Sequence, residues 1–230
     1  MIISLTGFMG CGKSSVGRRL SELLCCPFMD LDDVIVESAG RSIPEIFATE
    51  GEKAFRQMEL EALKQIISPS VMSQCAPLAP SHFVGPSPYA GVRKCQFRTS
   101  VSSPEDDMHR SNNTTPSLVL ALGGGAVMTK ECAEIVREET CCVYLKASIE
   151  TLMEHLSGEA DGRPMLHGKA ASQEGDTSLR GAERRGNPLQ ERIAELMAQR
   201  SETYEKTAHI IVDTDGKSIE AIASEILSLI

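Results

Sequence analysis

Apolar residues along the chain form short continuous runs that alternate with stretches of helical spacing. The short runs predict buried strands at 2–6, 27–31, 118–122, 141–146 and 209–212. Apolar positions three and four residues apart predict helices at 13–25, 51–67, 129–138, 148–156, 191–207 and 218–229. A further helix start is indicated where Ser42 can cap, Pro44 lies in the first turn and Glu45 can reach back to the cap.

Strands that alternate with helices are typical of a parallel sheet covered on both faces. We therefore expect a three-layer α/β/α fold with a five-stranded parallel sheet, in a single domain over residues 1–230. Residues 68–117 hold seven of the chain's eleven prolines and ten serines without any periodicity, which predicts an inserted disordered loop. A partner-binding role is the alternative for that segment.

Composition excludes several classes of protein. The net charge of −9 argues against a nucleic-acid binder, and aromatic residues at 4% without Trp disfavour a platform for stacking bases. No apolar run is long enough to span a membrane, and the first residues lack the basic start of a secretory leader. The eight cysteines are scattered or adjacent, which favours free thiols in a reducing cytoplasm over disulfides or zinc.

Residues 7–14, G-F-M-G-C-G-K-S, match the phosphate-binding loop pattern G-x-x-x-x-G-K-[ST] between a strand and a helix. The glycines let backbone N–H groups point at phosphate oxygens, and the helix directs its N-terminus at the same anion. Lys13 would reach the β- and γ-phosphates, and the Ser14 hydroxyl would ligate Mg²⁺. The alternative, an ordinary glycine-rich turn, does not need Lys and Ser at these positions.

Asp30 and Asp32 follow the second strand, at the edge of a parallel sheet where ligands bind. A kinase needs one carboxylate near the metal ion and another that orients or deprotonates the attacking hydroxyl. The competing interpretation is that these are helix N-terminal acids, favoured by the helix dipole. Asp33 is assigned to that simpler role.

Two arginines are candidates for binding an acidic acceptor. Arg56 stands three residues before Glu59, so the two can pair on one helix face, and a solvated surface pair is the simpler alternative. Arg200 falls on the core-facing side of its helix, where a charge without a partner is costly. A buried ion pair or a carboxylate ligand would resolve that position, and two arginines suit a planar carboxylate.

Two further segments could complete the site. The glycines at 123–125 end a buried strand and allow a ligand to approach the backbone, although glycine at a helix start is the simpler interpretation. Arg163 lies between polar segments, where it could close over the phosphates. A loop arginine exposed to water is the alternative for Arg163.

Taken together, these motifs resemble the shikimate kinase family, which has a nucleoside-monophosphate-kinase-like P-loop fold. The matching segments occur in the family's order: G-F-M-G-C-G-K-S at 7–14, F-M-D-L-D at 28–32, G-R-S-I-P-E-I-F at 40–47, G-E-x-x-F-R-x-x-E at 51–59, L-G-G-G-A-V at 122–127, R-P-M-L at 163–166 and R-S-E-T-Y at 200–204. The resemblance implies transfer of the ATP γ-phosphate to the 3-hydroxyl of shikimate, by a cytoplasmic monomer with a mobile lid at 158–190.

The resemblance also implies roles for single residues. ATP would bind Gly10, Cys11, Gly12, Lys13, Ser14 and Ser15, with Mg²⁺ at Ser14 and Asp30. Lys13, Asp32 and the lid arginine Arg163 would be catalytic, with Arg163 also on the nucleotide. Shikimate would bind Asp32, Arg56, Gly123, Gly124, Gly125 and Arg200.

The chain departs from the family in its long insertion and extended lid, and it lacks a second arginine before Arg163. Lys217 could supply the missing positive charge beside adenine. Two other interpretations stay open. One is a kinase for another small molecule such as gluconate. The other is a non-catalytic nucleotide-binding module that recruits a partner through 68–117.

Overall fold

The structure is a computed structural model that describes residues 1–68, 116–156 and 188–230. The strands are β1 Ile2–Thr6, β2 Phe28–Asp30, β3 Leu118–Ala121, β4 Thr140–Lys146 and β5 Ile210–Asp213. The α-helices are α1 Lys13–Leu24, α2 Leu31–Ala39, α3 Ile43–Thr49, α4 Gly51–Ile67, α5 Lys130–Glu139, α6 Ile149–Leu156, α7 Pro188–Thr207 and α8 Ile219–Leu229. A 3-10 helix spans Ala126–Met128.

The five strands form one parallel sheet in the order β2-β3-β1-β4-β5. Strand β1 lies at the centre, with Leu5 opposite Ala121 of β3 on one side and Val143 of β4 on the other. Because every strand runs in the same direction, the loops that follow them meet at one edge of the sheet. The predicted five-stranded parallel sheet is confirmed.

Helices cover both faces of the sheet, as the alternating pattern predicts. One core contains Ile2 and Leu120 of the sheet and buried side chains of α2, α3, α4 and α5. The other contains Ile3 and Leu5 together with buried side chains of α1, α6 and α8. Helix α7 contributes Ile193 to the second core and Tyr204 to the first, so it crosses from one layer to the other.

Two helices depart from the prediction: α2 was not among the predicted elements, and α7 begins three residues earlier than predicted. Helix α2 begins directly after β2, because the Asp30 side chain accepts the Asp32 backbone N–H and caps it. Helix α7 begins at Pro188, so residues 188–190 of the predicted lid region are its first turn. The predicted capping of α3 is confirmed, with both Ser42–Glu45 capping-box bonds present.

Most of the predicted insertion and most of the predicted lid, including Arg163, lie outside the described residues. At the end of the insertion, the Ser117 N–H donates to the Met1 carbonyl at 2.8 Å, and this bond aligns β3 with the start of β1. The six cysteines in the described ranges are free thiols. Within those ranges no helix combines the length and apolar character needed to cross a membrane.

Candidate active site

A cleft of about 1020 Å³ opens at the carboxyl edge of the sheet. Its middle is the loop between β1 and α1. One end is bounded by Asp32, Arg56, the glycines at 123–125 and Arg200, and the other by residues 214, 217–220 and 222. The predicted site residues that the structure describes therefore share one cavity.

The loop before α1 has the backbone that a phosphate-binding loop requires. Gly10 and Gly12 have φ angles of 83° and 89°, in the left-handed region that favours glycine. Gly12 is also the N-cap of α1, so the helix N-terminus points into the cleft. The Lys13 ammonium donates to the carbonyls of Gly7 and Phe8, at 3.0 and 2.9 Å, and faces the same cavity.

Ser14 and Asp30 come together beneath this loop. The Ser14 hydroxyl donates to Asp30 Oδ2 at 2.6 Å. The two oxygens are of the hard type that Mg²⁺ prefers, and Mg²⁺ usually binds few protein groups because it keeps water and phosphate ligands. In the described ranges no group of three or more His, Cys, Asp or Glu side chains could hold a metal ion. Ser14 and Asp30 are therefore the residues that would hold a Mg²⁺ ion here.

Asp32 occupies the acceptor side of the cleft, in the first turn of α2. Its Oδ1 lies 2.6 Å from where a Cβ on Gly123 would be, so the carboxylate rests on the glycine backbone. Burial, reinforced by the nearby Asp30 carboxylate, raises the pKa of Asp32, while the charge of Lys13 opposes the shift. A raised pKa suits a carboxylate that accepts a proton from an attacking hydroxyl.

Arg56 and Glu59 form a buried ion pair on α4. Arg56 Nη1 lies 2.6 Å from Glu59 Oε2, and the Glu59 side chain is only 1% exposed. Glu52 approaches the other guanidinium nitrogen at 3.0 Å. The interpretation of Arg56 and Glu59 as a solvated surface pair is therefore wrong, because α4 turns this face toward the glycines that follow β3.

The three glycines explain how these charges fit together. A Cβ on Gly123 would meet Glu59 Oε1 at 2.9 Å, and one on Gly125 would meet Arg56 Nη1 at 2.5 Å. Any larger residue would displace the carboxylate or the guanidinium. Gly125 also precedes the 3-10 helix, so the simpler interpretation as a helix start holds as well, but the close approach is what excludes other residues.

Arg200 reaches the same end of the cleft from α7. It is 6% exposed, and within the described ranges no carboxylate lies within ion-pair distance of it. Its Nη1 makes only a long contact of 3.5 Å with the Gly124 carbonyl, and its guanidinium lies 6.0 Å from the centre of the Phe8 ring. Among the described residues no ion pair accounts for Arg200, and its carboxylate-binding role stays a prediction.

The opposite end of the cleft carries less charge than predicted. Lys217 lines it, but its ammonium pairs with Glu225 at 2.6 Å, so its charge is shared.

Sequence reasoning missed His155, whose Nδ1 lies 2.8 Å from the Gly10 carbonyl. Because a carbonyl only accepts, that nitrogen carries the proton. A histidine at a helix end gives no signal of this contact in the sequence.

A family model described as shikimate kinase matches residues 9–76 and 97–230 of this chain. The chain belongs to the shikimate kinase family. Relatives in the family include the shikimate kinase of Dictyoglomus turgidum, 30% identical over 98% of this chain and 94% of its own length. The shikimate kinase of Thermus thermophilus is 32% identical over 98% of this chain and 87% of its own length.

Solved structures agree with that membership. The shikimate kinase from Acinetobacter baumannii in complex with shikimate superposes with a TM-score of 0.68 and 25% identity, over 99% of this chain and 91% of the other. The resemblance inferred from ordered motifs is thus confirmed, together with the fold that it implied.

The burial of Glu59 leads to a prediction about stability. Burial raises the pKa of Glu59 to about 7 from an ordinary 4.5, although Arg56 opposes the shift. The folded protein then binds this proton more tightly than the unfolded chain. Stability from this group is complete below about pH 4.5 and is lost as the pH rises to about 7. Glu59→Gln should remove that loss, which amounts to up to about 3 kcal/mol.

Thermal unfolding of the wild type and of Glu59→Gln between pH 4 and 8 checks this pH dependence. Glu61→Gln is the control, because Glu61 is an exposed residue of the same helix. The difference in melting temperature between wild type and Glu59→Gln should change across the window. If the melting temperatures of wild type and Glu59→Gln changed in parallel with pH, the expectation would be contradicted.

Proposed function

We propose that this protein transfers the γ-phosphoryl group of ATP to the 3-hydroxyl of shikimate, giving shikimate 3-phosphate and ADP. The observation that carries the proposal is the acceptor end of the cleft, where Arg200 is buried without a carboxylate partner in the described ranges and faces the same cavity as Asp32. Family membership supports the same reaction.

Charge at that end favours an acceptor that carries a carboxylate. Arg56 already has Glu59 and Glu52 beside it. Among the described residues, Arg200 contacts the Gly124 carbonyl, the Phe8 ring and the Tyr204 hydroxyl, and none of these is a carboxylate. A buried guanidinium without a counter-ion is costly, and a planar carboxylate would satisfy it with paired hydrogen bonds. Shikimate offers such a carboxylate on a ring that also bears hydroxyls.

The proposed step needs three contributions from the chain. Asp32 orients the 3-hydroxyl and takes its proton as the oxygen forms a bond to the γ-phosphorus. The bond from that phosphorus to the bridging oxygen of ADP then breaks, and Lys13 stabilises the charge that develops on the phosphoryl oxygens. Arg163 is proposed to add positive charge there as the lid closes.

Ser14 and Asp30 would hold the Mg²⁺ that accompanies ATP, and the ion would neutralise charge on the β- and γ-phosphates. The backbone of residues 10–15 is proposed to surround those phosphates, with the adenine of ATP directed toward Lys217. A cytoplasmic location stays a prediction from the sequence, and action as a monomer stays an expectation from the family resemblance.

A coupled assay of ADP release tests the proposal with ATP, Mg²⁺ and four conditions: shikimate, quinate, gluconate and no acceptor. Strong turnover with shikimate alone supports it. Turnover with gluconate in place of shikimate would favour the kinase for another small molecule. ATP binding without turnover on any acceptor would favour the non-catalytic module.

Arg56→Ala should raise the KM for shikimate by about 10- to 100-fold, because a charge-assisted bond to the carboxylate is lost. The KM for ATP should stay within about twofold, since Arg56 lies at the acceptor end. Arg56→Lys keeps a cation beside Glu59 and separates this effect from misfolding. Arg41→Ala is the control, because Arg41 pairs with Glu50 on the surface. A loss of ATP affinity in place of shikimate affinity would refute the carboxylate role.

A further inference from the structure

Two stacked tyrosines lie behind the acceptor end of the cleft and differ in one respect. Tyr144 of β4 and Tyr204 of α7 are both buried, with ring centres 5.2 Å apart. The Tyr204 hydroxyl donates to the Gly124 carbonyl. The Tyr144 hydroxyl has no hydrogen-bond partner within the described ranges. Of the two tyrosine hydroxyls, therefore, the Tyr204 hydroxyl is the one that bonds to a residue of the cleft.

Gly124 lies between the acceptor end of the cleft and the phosphate-binding loop. A Cβ placed on it would lie 3.2 Å from the Met9 nitrogen and 3.7 Å from the Gly7 carbonyl oxygen, so it packs directly on the phosphate-binding loop. Its carbonyl accepts from Tyr204 and Arg200 of α7. The orientation of this peptide thus depends on α7.

Tyr204 and Arg200 both donate to the same carbonyl oxygen, which has two lone pairs and can accept from both. Burial raises the pKa of Tyr204, so its hydroxyl keeps its proton and acts as the donor. Arg200 Nη1 stands at 3.5 Å, at the limit of a hydrogen bond. The hydroxyl is therefore the close donor to this carbonyl, and the guanidinium is the distant one.

We propose that Tyr204 is a positioning residue for the acceptor: its hydroxyl holds the Gly124 peptide and leaves the Arg200 guanidinium available to the acceptor's carboxylate. Without the hydroxyl, a buried carbonyl loses its close donor, and Arg200 is the nearest replacement. Arg200 would then turn from the cleft toward Gly124. This inference rests on the proposed function, since it concerns binding of the acceptor by that same site.

The test compares Tyr204→Phe with Tyr144→Phe, since each removes one hydroxyl from one of two stacked, buried rings. Steady-state kinetics are measured with shikimate and ATP varied in turn. For Tyr204→Phe we expect the KM for shikimate to rise about tenfold, the scale of one buried hydrogen bond, while kcat stays within about threefold. The KM for ATP should not change, and Tyr144→Phe should match wild type.

A merely structural role would affect both substrates or neither. Equal kinetics for the two variants, in a wild type that phosphorylates shikimate, would overturn the positioning role alone. An equal rise in the KM for ATP and shikimate would also overturn it, since the effect would then be a general disturbance of the cleft. Failure of the wild type to use shikimate would overturn the proposed function and this inference with it.

Discussion

Lys13→Ala should reduce turnover about a thousandfold or more, because a preorganised charge aimed at the transferred phosphoryl group is lost. The ammonium lies in the cleft and is held 3.0 and 2.9 Å from two carbonyls of its own loop. It therefore needs little rearrangement to meet the phosphates. Alanine removes this charge and leaves the loop glycines in place, so the effect is expected in kcat as well as in ATP affinity.

Single-turnover measurements at saturating ATP and shikimate isolate this effect from binding. Lys130→Ala is the matched control, since the Lys130 side chain is 85% exposed on a helix of the same protein. It should turn over at the wild-type rate. Wild-type activity in Lys13→Ala would refute the assignment of residues 7–14 as the phosphate-binding loop.

Asp32→Asn should lower kcat by about 10²- to 10⁴-fold, the range usual for loss of a general base. Asparagine has nearly the same size, so it fits the space beside Gly123, where Asp32 Oδ1 lies 2.6 Å from the position that a Cβ on the glycine would take. The amide can still bond to a hydroxyl but cannot take its proton. The KM for shikimate should therefore change far less than kcat.

Asp33→Asn is the control for this variant, because Asp33 is the exposed neighbour on the same helix turn. It should cost at most a few tenths of a kcal/mol of stability from the helix dipole and leave kcat unchanged. If Asp32→Asn retained wild-type kcat, proton transfer to Asp32 would be excluded and its role would be confined to binding.

Several features of this protein follow from sequence patterns because they depend on short stretches of chain. The strands and most of the helices follow from apolar periodicity, and most of their ends lie within two residues of the prediction, whereas α2 was not predicted. The phosphate-binding loop follows from glycines that adopt left-handed φ angles within a single turn. The start of α3 follows from a capping box closed over four residues.

Those sequence patterns predict only part of the candidate site. The i, i+3 spacing of Arg56 and Glu59 is the same for a surface pair and for a buried pair. What distinguishes them is the packing of α4 on the glycines after β3, from a distant part of the chain. That packing also buries the Glu59 carboxylate, and the burial raises the pKa of Glu59 to about 7.

The sequence by itself determined the class of fold, the phosphate-binding loop and the identity of most side chains that line the cleft, since each depends on residues close together in the chain. Tertiary structure decided the order of strands, the burial of Glu59, the contact of His155 with Gly10 and the choice of Tyr204 over Tyr144 as the donor to Gly124. Those properties depend on which distant backbone and side-chain groups meet, and hydrogen bonding and desolvation act only after the chain has brought them together.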